Sequence, residues 1–200
     1  AVCRNCHEMN IHIIRGLFDA TLLLSLQYFI VNSQSSQRQQ ERLQFLSFRD
    51  MLTGLYNRNK YMKVLETFEK YPVCDTGVAY IDLNGLKQIN DNLGHEAGDR
   101  LLCDAAKEIL RTFPENSYRI GGDEFVIILP ESGKAEFEEQ MEQVQEDLKQ
   151  AHISYSMGLE WKKEGMLESM LKAAEQRMYA EKNAYYKLRG RDRRCPERSV

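Results

Sequence analysis

Two short apolar segments joined by four residues constrain the fold of this chain more than any other feature. Ser117–Ile120 and Phe125–Leu129 have the composition of strands, and Gly121-Gly122-Asp123-Glu124 lies between them. Glycine adopts positive φ without steric cost, so the pattern predicts a β-hairpin with two acids at its turn. The chain is therefore expected to contain an antiparallel sheet.

The segments around this hairpin alternate between strand and helix patterns from Phe48 onward. A buried strand is predicted over Gly77–Ile81, and Asp82 follows it directly. Two helices come next, then the hairpin, a helix over 134–150, a strand over 152–160 and a helix over 167–187. This order contains a ferredoxin-like βαββαβ unit. We therefore predict an α+β domain over residues 48–200, palm-like or nucleotidyl-cyclase-like, with a central, mostly antiparallel sheet flanked by helices.

Residues 1–47 differ from this domain. The stretch from Ile11 to Val31 is apolar but carries Arg15 and Asp19, and a membrane span would bury both charges at about 2.5–3.5 kcal/mol each. Residues that recur at alternating spacings of three and four form the seam of a pairing helix: Ile14, Leu17, Thr21, Leu24, Tyr28 and Val31. We therefore predict a long N-terminal helix and linker, the end of a truncated sensory or dimerisation region. Membrane attachment of the full-length protein stays open.

Charge and cysteine content limit the classes of partner and compartment. The net charge of −3 gives no reason to expect nucleic-acid binding. The cysteines are five, an odd number without the spacing of a disulfide framework, which favours a reducing, cytoplasmic setting. A possible haem or zinc motif consists of Cys3, Cys6, His7 and His12. Haem attachment would require export and a second C-x-x-C is absent, so we assign this motif no function.

Acids at the strand ends are the first candidates for chemistry. Asp82 follows one predicted strand, and Asp123 and Glu124 lie in the hairpin, which runs beside that strand in a ferredoxin-like sheet. Converging carboxylates without a nearby His or Cys suit Mg²⁺ rather than zinc, and such Mg²⁺ ions most often serve phosphates. Acids also suit turns for purely structural reasons, so spacing alone leaves both interpretations open.

Four ordered motifs extend this pattern. They are Asp50–Arg58 (DMLTGLYNR), Asp82–Asp99 (DLNGLKQINDNLGHEAGD), Arg119–Pro130 (RIGGDEFVIILP) and Ala174–Lys182 (AEQRMYAEK). Across residues 48–187 they resemble the GGDEF family of diguanylate cyclases. The resemblance implies a homodimeric, Mg²⁺-dependent signalling enzyme that condenses two GTP molecules into cyclic di-GMP and releases two pyrophosphates. The polar residues of the first motif we interpret as structural, a capped turn that leads into a helix.

The resemblance implies metal and catalytic roles for the strand-end residues. Asp82, Asp123 and the backbone carbonyl of Leu83 would hold two Mg²⁺ (or Mn²⁺) ions per active site. Asp123 or Glu124 would help to remove the proton from the attacking 3′-hydroxyl. The main alternative is a domain that binds GTP but has lost the chemistry, and the intact acids argue against it.

The resemblance implies substrate binding for the block that follows Leu83. Asn90 and Asp99 would read guanine, and His95 lies in the same block. An aspartate accepts the guanine N1 and N2 hydrogens, a pair that adenine lacks, so a buried aspartate would disfavour ATP. Singly, polar residues near helix ends could equally be caps, and only the ordered set favours a site. The groups expected to hold the triphosphate are Lys87, Lys182 and the backbone N–H groups of Gly85 and Leu86.

Three positions near the expected substrate depart from the family pattern. Asn84 replaces the usual second acid, and Gly85-Leu86 replaces a bulkier pair. Tyr186 stands where the family usually has a phosphate-contacting arginine. The residues that could substitute for that arginine are Arg189, Arg191, Arg193 and Arg194.

The family's inhibitory product site is also altered. Thr112 and Glu115 occupy the positions of its Arg-x-x-Asp motif. We therefore predict no product inhibition of that type, and micromolar or tighter binding of cyclic di-GMP at this surface would contradict the prediction.

Overall fold

Five strands and five helices form the larger part of the chain. The computed structural model describes residues 15, 21–35, 37–39 and 47–192, with side chains to residue 188. The strands are β1 (Tyr56–Asn57), β2 (Val73–Leu83), β3 (Ser117–Arg119), β4 (Glu124–Leu129) and β5 (Tyr155–Gly165). The helices are α1 (Arg58–Thr67), α2 (Leu86–Leu93), α3 (His95–Thr112), α4 (Lys134–Gln150) and α5 (Leu167–Asp192).

The strands form one sheet in the order β1-β3-β4-β2-β5. β2 lies near the middle and is antiparallel to β4 and β5, β3 is antiparallel to β4, and the two-residue β1 is parallel to β3. β2 through β5, with the helices between them, make up the predicted βαββαβ unit. The α+β prediction is confirmed.

Two strand predictions have the wrong bounds. β2 begins at Val73 rather than Gly77, and the last strand is Tyr155–Gly165 rather than 152–160. Both differences come from the ladder between β2 and β5, which continues from Leu83↔Tyr155 to Val73↔Gly165. Near Val73 and Gly165 the two strands are joined by backbone hydrogen bonds although several of the paired side chains are polar. An apolar sequence pattern therefore marks only part of each strand.

The two faces of the sheet carry separate apolar clusters. One cluster packs beneath α3 and α4 and includes Ile81 and Leu83, whereas the other packs beneath α1 and α5 and includes Tyr80. Side chains alternate between the faces along a strand. Asp82, and Glu124 directly opposite it, therefore project on the side of α1 and α5.

α5 packs very close to β5 at Gly158. A Cβ at Gly158 would overlap the carbonyl oxygen of Ala174 and would lie 2.5 Å from the backbone nitrogen of Met178. Both groups belong to the α5 backbone, so no side-chain rotation could relieve the overlap. The absence of a side chain at Gly158 thus sets how closely the helix approaches the sheet.

The N-terminal segment is helical over residues 21–35 and 37–39. Its large apolar side chains are all exposed within the chain: Leu22, Leu23, Leu24, Leu26, Tyr28, Phe29, Ile30 and Val31. No helix among the described residues combines the length and apolarity needed to cross a membrane. The chain divides into two units, residues 1–45 and 46–200, and the proposed roles of the two parts stay predictions. The seam residues Ile14 and Leu17 and the Cys3–His12 motif lie outside the described residues.

Candidate active site

Three carboxylates meet where β2 ends and β4 begins. Asp82 pairs with Glu124 across the ladder, and the backbone N–H of Leu83 donates to the carbonyl of Asp123 at 3.0 Å. The hairpin turn is therefore fastened to the end of β2, as the sequence predicts. The Asp82 residue is only 3% exposed, and its Oδ1 atom has no hydrogen-bond partner among the described residues.

Lys182 of α5 reaches into this cluster. Its Nζ atom lies 2.6 Å from Asp82 Oδ2. Burial alone would lower the pKa of Lys182, but the hydrogen bond and the charge of Asp82 raise it overall. Two of the carboxylates are shifted as well. Burial, together with the charge of Asp123, raises the pKa of Asp82, and burial with the charges of Asp82 and Asp123 raises that of Glu124.

This charge balance fits a divalent cation. One lysine faces three carboxylates, and the buried Asp82 Oδ1 lacks a donor, so hard oxygen ligands remain available. Within the described part of the chain, no cluster of three or more His, Cys, Asp or Glu residues could hold a metal ion by itself. Mg²⁺ typically takes one or two carboxylates and completes its coordination with water and phosphate oxygens. The donors here suit an ion that is shared with a phosphate ligand.

The turn after β2 has the geometry of an anion-binding loop. Gly85 adopts φ of +80° and is the N-cap residue of α2, so the backbone N–H groups of Leu86 and Lys87 open the helix. The Lys87 side chain is exposed. Two helix-opening N–H groups and an exposed lysine therefore follow the end of β2 within four residues.

Asn84, which replaces the second acid, serves a structural purpose. It is buried, its Oδ1 accepts from the Ser156 hydroxyl at 3.0 Å, and its backbone N–H donates to the Ser154 carbonyl at 2.8 Å. These bonds tie the end of β2 to β5. The substitution therefore exchanges a charge for a link within the sheet.

The expected base-reading residues lie on the two helices that follow. Asn90 is on α2, its Oδ1 is buried without a partner among the described residues, and His95 and Asp99 are exposed on the first two turns of α3. The N-cap of α3 is Gly94, and no side chain caps it. A capping role for His95 or Asp99 therefore lacks support among the residues that the structure describes.

A cavity of about 410 Å³ lies beside Glu124, between α1 and α5. Its walls include Tyr61, Tyr80 and Glu175, none of which the sequence singled out. Burial, with the charge of Glu175, raises the pKa of Tyr61 to about 12, and burial raises that of Tyr80 further. The charged residues that line the cavity are three acids, Glu124, Glu168 and Glu175, and two bases, Arg58 and Lys172.

Arg119 braces the hairpin and was also missed as a functional residue. Its guanidinium donates to Asp50 Oδ1 at 3.0 Å and to the Gly122 carbonyl at 2.8 and 3.2 Å. Asp50 Oδ1 also accepts from the backbone N–H and hydroxyl of Thr53, which is the capped turn predicted from sequence. The available signal was an arginine two residues before the first hairpin glycine.

Replacement of Asp50 by alanine is expected to lower the free energy of unfolding by about 2 kcal/mol at neutral pH, because a half-buried Arg119 loses its counter-ion. Burial would raise the pKa of Asp50, but hydrogen bonds from Thr53 and Arg119 lower it below 3.8 overall. The stabilisation is therefore present above that value and is lost as pH falls through the folded-state pKa. Urea unfolding of both proteins from pH 7 to pH 3 measures it, and a difference that grows in acid would contradict this assignment.

The surface of the family's product site is occupied from within the chain. Glu115 accepts from the Arg49 guanidinium at 3.2 and 3.3 Å and from the Tyr56 hydroxyl. Arg49 also lies 3.7 Å from the centre of the Tyr56 ring. This surface therefore has Thr112 in place of the family's arginine and an acid that is already bonded to Arg49 and Tyr56, in line with the predicted lack of product inhibition.

The position of the missing arginine is occupied by a tyrosine pair. Tyr186 is 40% exposed and packs edge-on against Tyr185, with ring centres 5.2 Å apart. α5 continues to Asp192, but the side chains of Arg189 and Arg191, together with residues 193–194, lie outside those described. Their contact with a phosphate stays a prediction.

Comparison with known proteins decides the family. The family described as "Diguanylate cyclase, GGDEF domain" matches residues 47–187. The chain belongs to this family. The family prediction made from the four motifs is thereby confirmed, and the match includes every residue of the carboxylate cluster.

Individual relatives agree with the GGDEF assignment. "Probable diguanylate cyclase DgcJ" of Escherichia coli K12 is 31% identical over 200 residues, which cover 86% of this chain and 40% of that protein. "Cyclic di-GMP phosphodiesterase PdeR" of the same organism is 35% identical over 105 residues, 51% of this chain and 16% of that protein. The chain thus spans less than half the length of these two curated relatives.

Solved structures show the same fold. Diguanylate cyclase SiaD of Pseudomonas aeruginosa, in complex with its activator SiaC, has a TM-score of 0.66 at 23% identity, covering 90% of this chain and 75% of that one. The coiled coil and GGDEF domain of DgcB from Caulobacter crescentus, in complex with c-di-GMP, also has a TM-score of 0.66, at 22% identity, covering 82% and 95%.

Proposed function

We propose that this GGDEF domain condenses two GTP molecules into cyclic di-GMP and releases two pyrophosphates. The observation that carries the proposal is the meeting of Asp82, Asp123 and Glu124 at a site with one lysine and an unpartnered buried oxygen. The name of DgcJ supports it, whereas the name of PdeR shows that a GGDEF relative can be known for another activity. The intact acids favour synthesis.

The proposed chemistry is an in-line displacement at phosphorus. The 3′-oxygen of one GTP attacks the α-phosphorus of the other, an O–P bond forms, and the bond to the bridging oxygen breaks so that pyrophosphate leaves. The proton of the 3′-hydroxyl passes to Asp123 or Glu124. A second displacement, in which the two nucleotides exchange roles as attacker and target, closes the ring and releases the second pyrophosphate. Each domain would therefore contribute one bound GTP.

Asp82, Asp123 and the Leu83 carbonyl would hold two Mg²⁺ (or Mn²⁺) ions, which when bound neutralise charge on the phosphates. Lys182 would exchange its Asp82 partner for a phosphate oxygen as nucleotide enters. The helix-opening N–H groups of Leu86 and of its neighbour Lys87, beside Gly85, would bind the rest of the triphosphate.

Base recognition would come from α2 and α3. Asp99 accepts from guanine N1–H and N2–H, Asn90 donates to a guanine acceptor, and His95 borders the same space. Asp99 is exposed in the chain rather than buried, so adenine, which lacks this donor pair, would be disfavoured only where the bound base itself shields Asp99 from water.

We further propose that two copies of the chain pair face to face, since a two-fold product needs two bound nucleotides in opposition. The N-terminal helix, whose apolar residues are exposed in the single chain, is the natural element for this pairing. We also propose a cytoplasmic location, where GTP is available, and an upstream sensory domain in the full-length protein.

The test is incubation of the chain with GTP and Mg²⁺, followed by separation of nucleotides by chromatography. We expect cyclic di-GMP and two pyrophosphates per product, loss of both with EDTA, and a specific activity that rises with protein concentration. Tight GTP binding without product at any concentration would favour the non-catalytic alternative, which Tyr186 in place of the arginine weakly supports.

A further inference from the structure

A glycine of α3 lies directly against Asn90 of α2. Gly98 is buried, and a Cβ at this position would overlap Asn90 Oδ1 and would lie 2.9 Å from Asn90 Cγ. The next atom it would meet is Leu86 Cδ1, at 3.1 Å. The Asn90 carboxamide thus occupies the space that any other residue at position 98 would fill.

The conflict is confined to side-chain ends. The three atoms nearest to the added Cβ belong to the side chains of Asn90 and Leu86, and none is a backbone atom. Gly98 lies inside a helix, and its φ is not positive. Alanine therefore suits the backbone and favours the helix, so its main effect is to push the carboxamide aside.

This contact also orients the amide. Asn90 Oδ1 is buried without a hydrogen-bond partner among the described residues, so Nδ2 is the end of the amide available to a ligand. Asp99, the next residue after Gly98, is exposed on the same turn of α3. The helix pair therefore carries one donor, on α2, and one acceptor, on α3, which is the polarity that the guanine edge requires.

We infer that Gly98 is a positioning residue for guanine recognition: it leaves the space that holds the Asn90 amide with its N–H group directed at the base. The inference rests on the proposed function, because it takes the GTP base as the ligand of Asn90. The competing explanation is that Gly98 serves only the close packing of α2 on α3.

The experiment compares Gly98→Ala, Asn90→Ala and the double variant with the wild-type chain. Equilibrium binding uses an unreactive GTP analogue with a methylene between the α- and β-phosphates. We expect Gly98→Ala to lower its affinity about 10-fold, the effect of one lost hydrogen bond, while Tm stays the same or rises. In the Asn90→Ala background the glycine substitution should cost no further affinity, because its target is gone.

Base analogues supply a readout that a packing role would not change. 6-thio-GTP weakens the acceptor at position 6, 3-deaza-GTP lacks N3, and ITP lacks the N2 amino group that Asp99 would bind. Asn90 would donate to either O6 or N3 of guanine. The wild-type chain should therefore bind GTP about 10-fold more tightly than either 6-thio-GTP or 3-deaza-GTP, whichever alters the acceptor in use, and Gly98→Ala should lose that preference. The preference over ITP should persist.

The outcomes separate this inference from the proposed function. A Gly98→Ala chain that retains both its affinity and its analogue preferences overturns the inference alone. Additive losses in the double variant, or a lowered Tm, favour the packing explanation and overturn it too. If Asn90→Ala binds the GTP analogue as tightly as wild type, the proposed base site itself is wrong.

Discussion

Asp123→Asn is expected to lower cyclic di-GMP formation at least about 10³-fold while the chain stays folded. The substitution removes the carboxylate that the hairpin contributes to the cluster with Asp82 and Glu124, yet keeps the shape of the side chain. A metal held by fewer charged ligands stabilises the transferring phosphoryl group less. Initial rates with GTP and Mg²⁺, quantified by chromatography, measure the effect.

We expect the Asp123→Asn variant to be at least as stable as the wild-type chain, although its activity falls. Burial raises the pKa of both Asp82 and Glu124, and the charge of Asp123 raises it further, which indicates mutual repulsion among these carboxylates. Removal of this charge should leave the midpoint of urea unfolding unchanged or higher, a common trade between function and stability. An unchanged or higher midpoint would show that the variant loses activity because the carboxylate is missing and not because the chain unfolds.

The matched control is Asp104→Asn, the same change at an exposed position on α3. It should leave both rate and stability near the wild-type values. If Asp123→Asn keeps its turnover within about tenfold of wild type, the carboxylate cluster is not the centre of the reaction.

Gly158→Ala is expected to lower the free energy of unfolding by about 3 kcal/mol, a large share of the stability of a typical domain. The added methyl group would overlap the Ala174 carbonyl and crowd the backbone nitrogen of Met178. Because both are backbone atoms, α5 must move away from the sheet and loosen the apolar cluster that it covers. Urea unfolding followed by circular dichroism measures the loss.

Gly133→Ala provides the control for this substitution. Gly133 has φ of −62°, and a Cβ there meets nothing within 4 Å. Gly133 is the N-cap residue of α4, where glycine is preferred over alanine, so we expect a loss of no more than about 1 kcal/mol. Equal stability of the two variants would show that the close approach of α5 is not needed for folding.

The sequence predicts the meeting of the acids because local patterns are sufficient for it. Asp82 follows an apolar strand, Asp123 and Glu124 lie in a glycine hairpin, and the βαββαβ order places that hairpin beside the strand. The bounds of β2 and β5 were not predictable in this way. The outer part of their ladder pairs Cys74 with Glu164 and Thr76 with Lys162, so the sequence there lacks a continuous apolar pattern.

Contacts between elements that are far apart in the sequence could not be predicted and became visible only in the structure. Lys182 reaches Asp82 only because of the rotation and depth of α5, which depend on packing at Gly158 rather than on any local pattern. The sequence likewise shows that Asn84 replaces an acid, but not that it bonds Ser156 across the sheet. Side-chain pairing over 70 or 100 residues follows from tertiary geometry, which propensity does not encode.

The ion pair between Lys182 and Asp82 also bears on the sequence of ligand entry. Asp82, a deeply buried acid, already has a positive partner in Lys182, so a bare cation would gain less there than at a fully unpaired carboxylate. Under the proposed function, a triphosphate would draw the lysine away and at the same time bring oxygens of its own. Occupancy by the divalent ion would then follow the supply of nucleotide more closely than the supply of free magnesium.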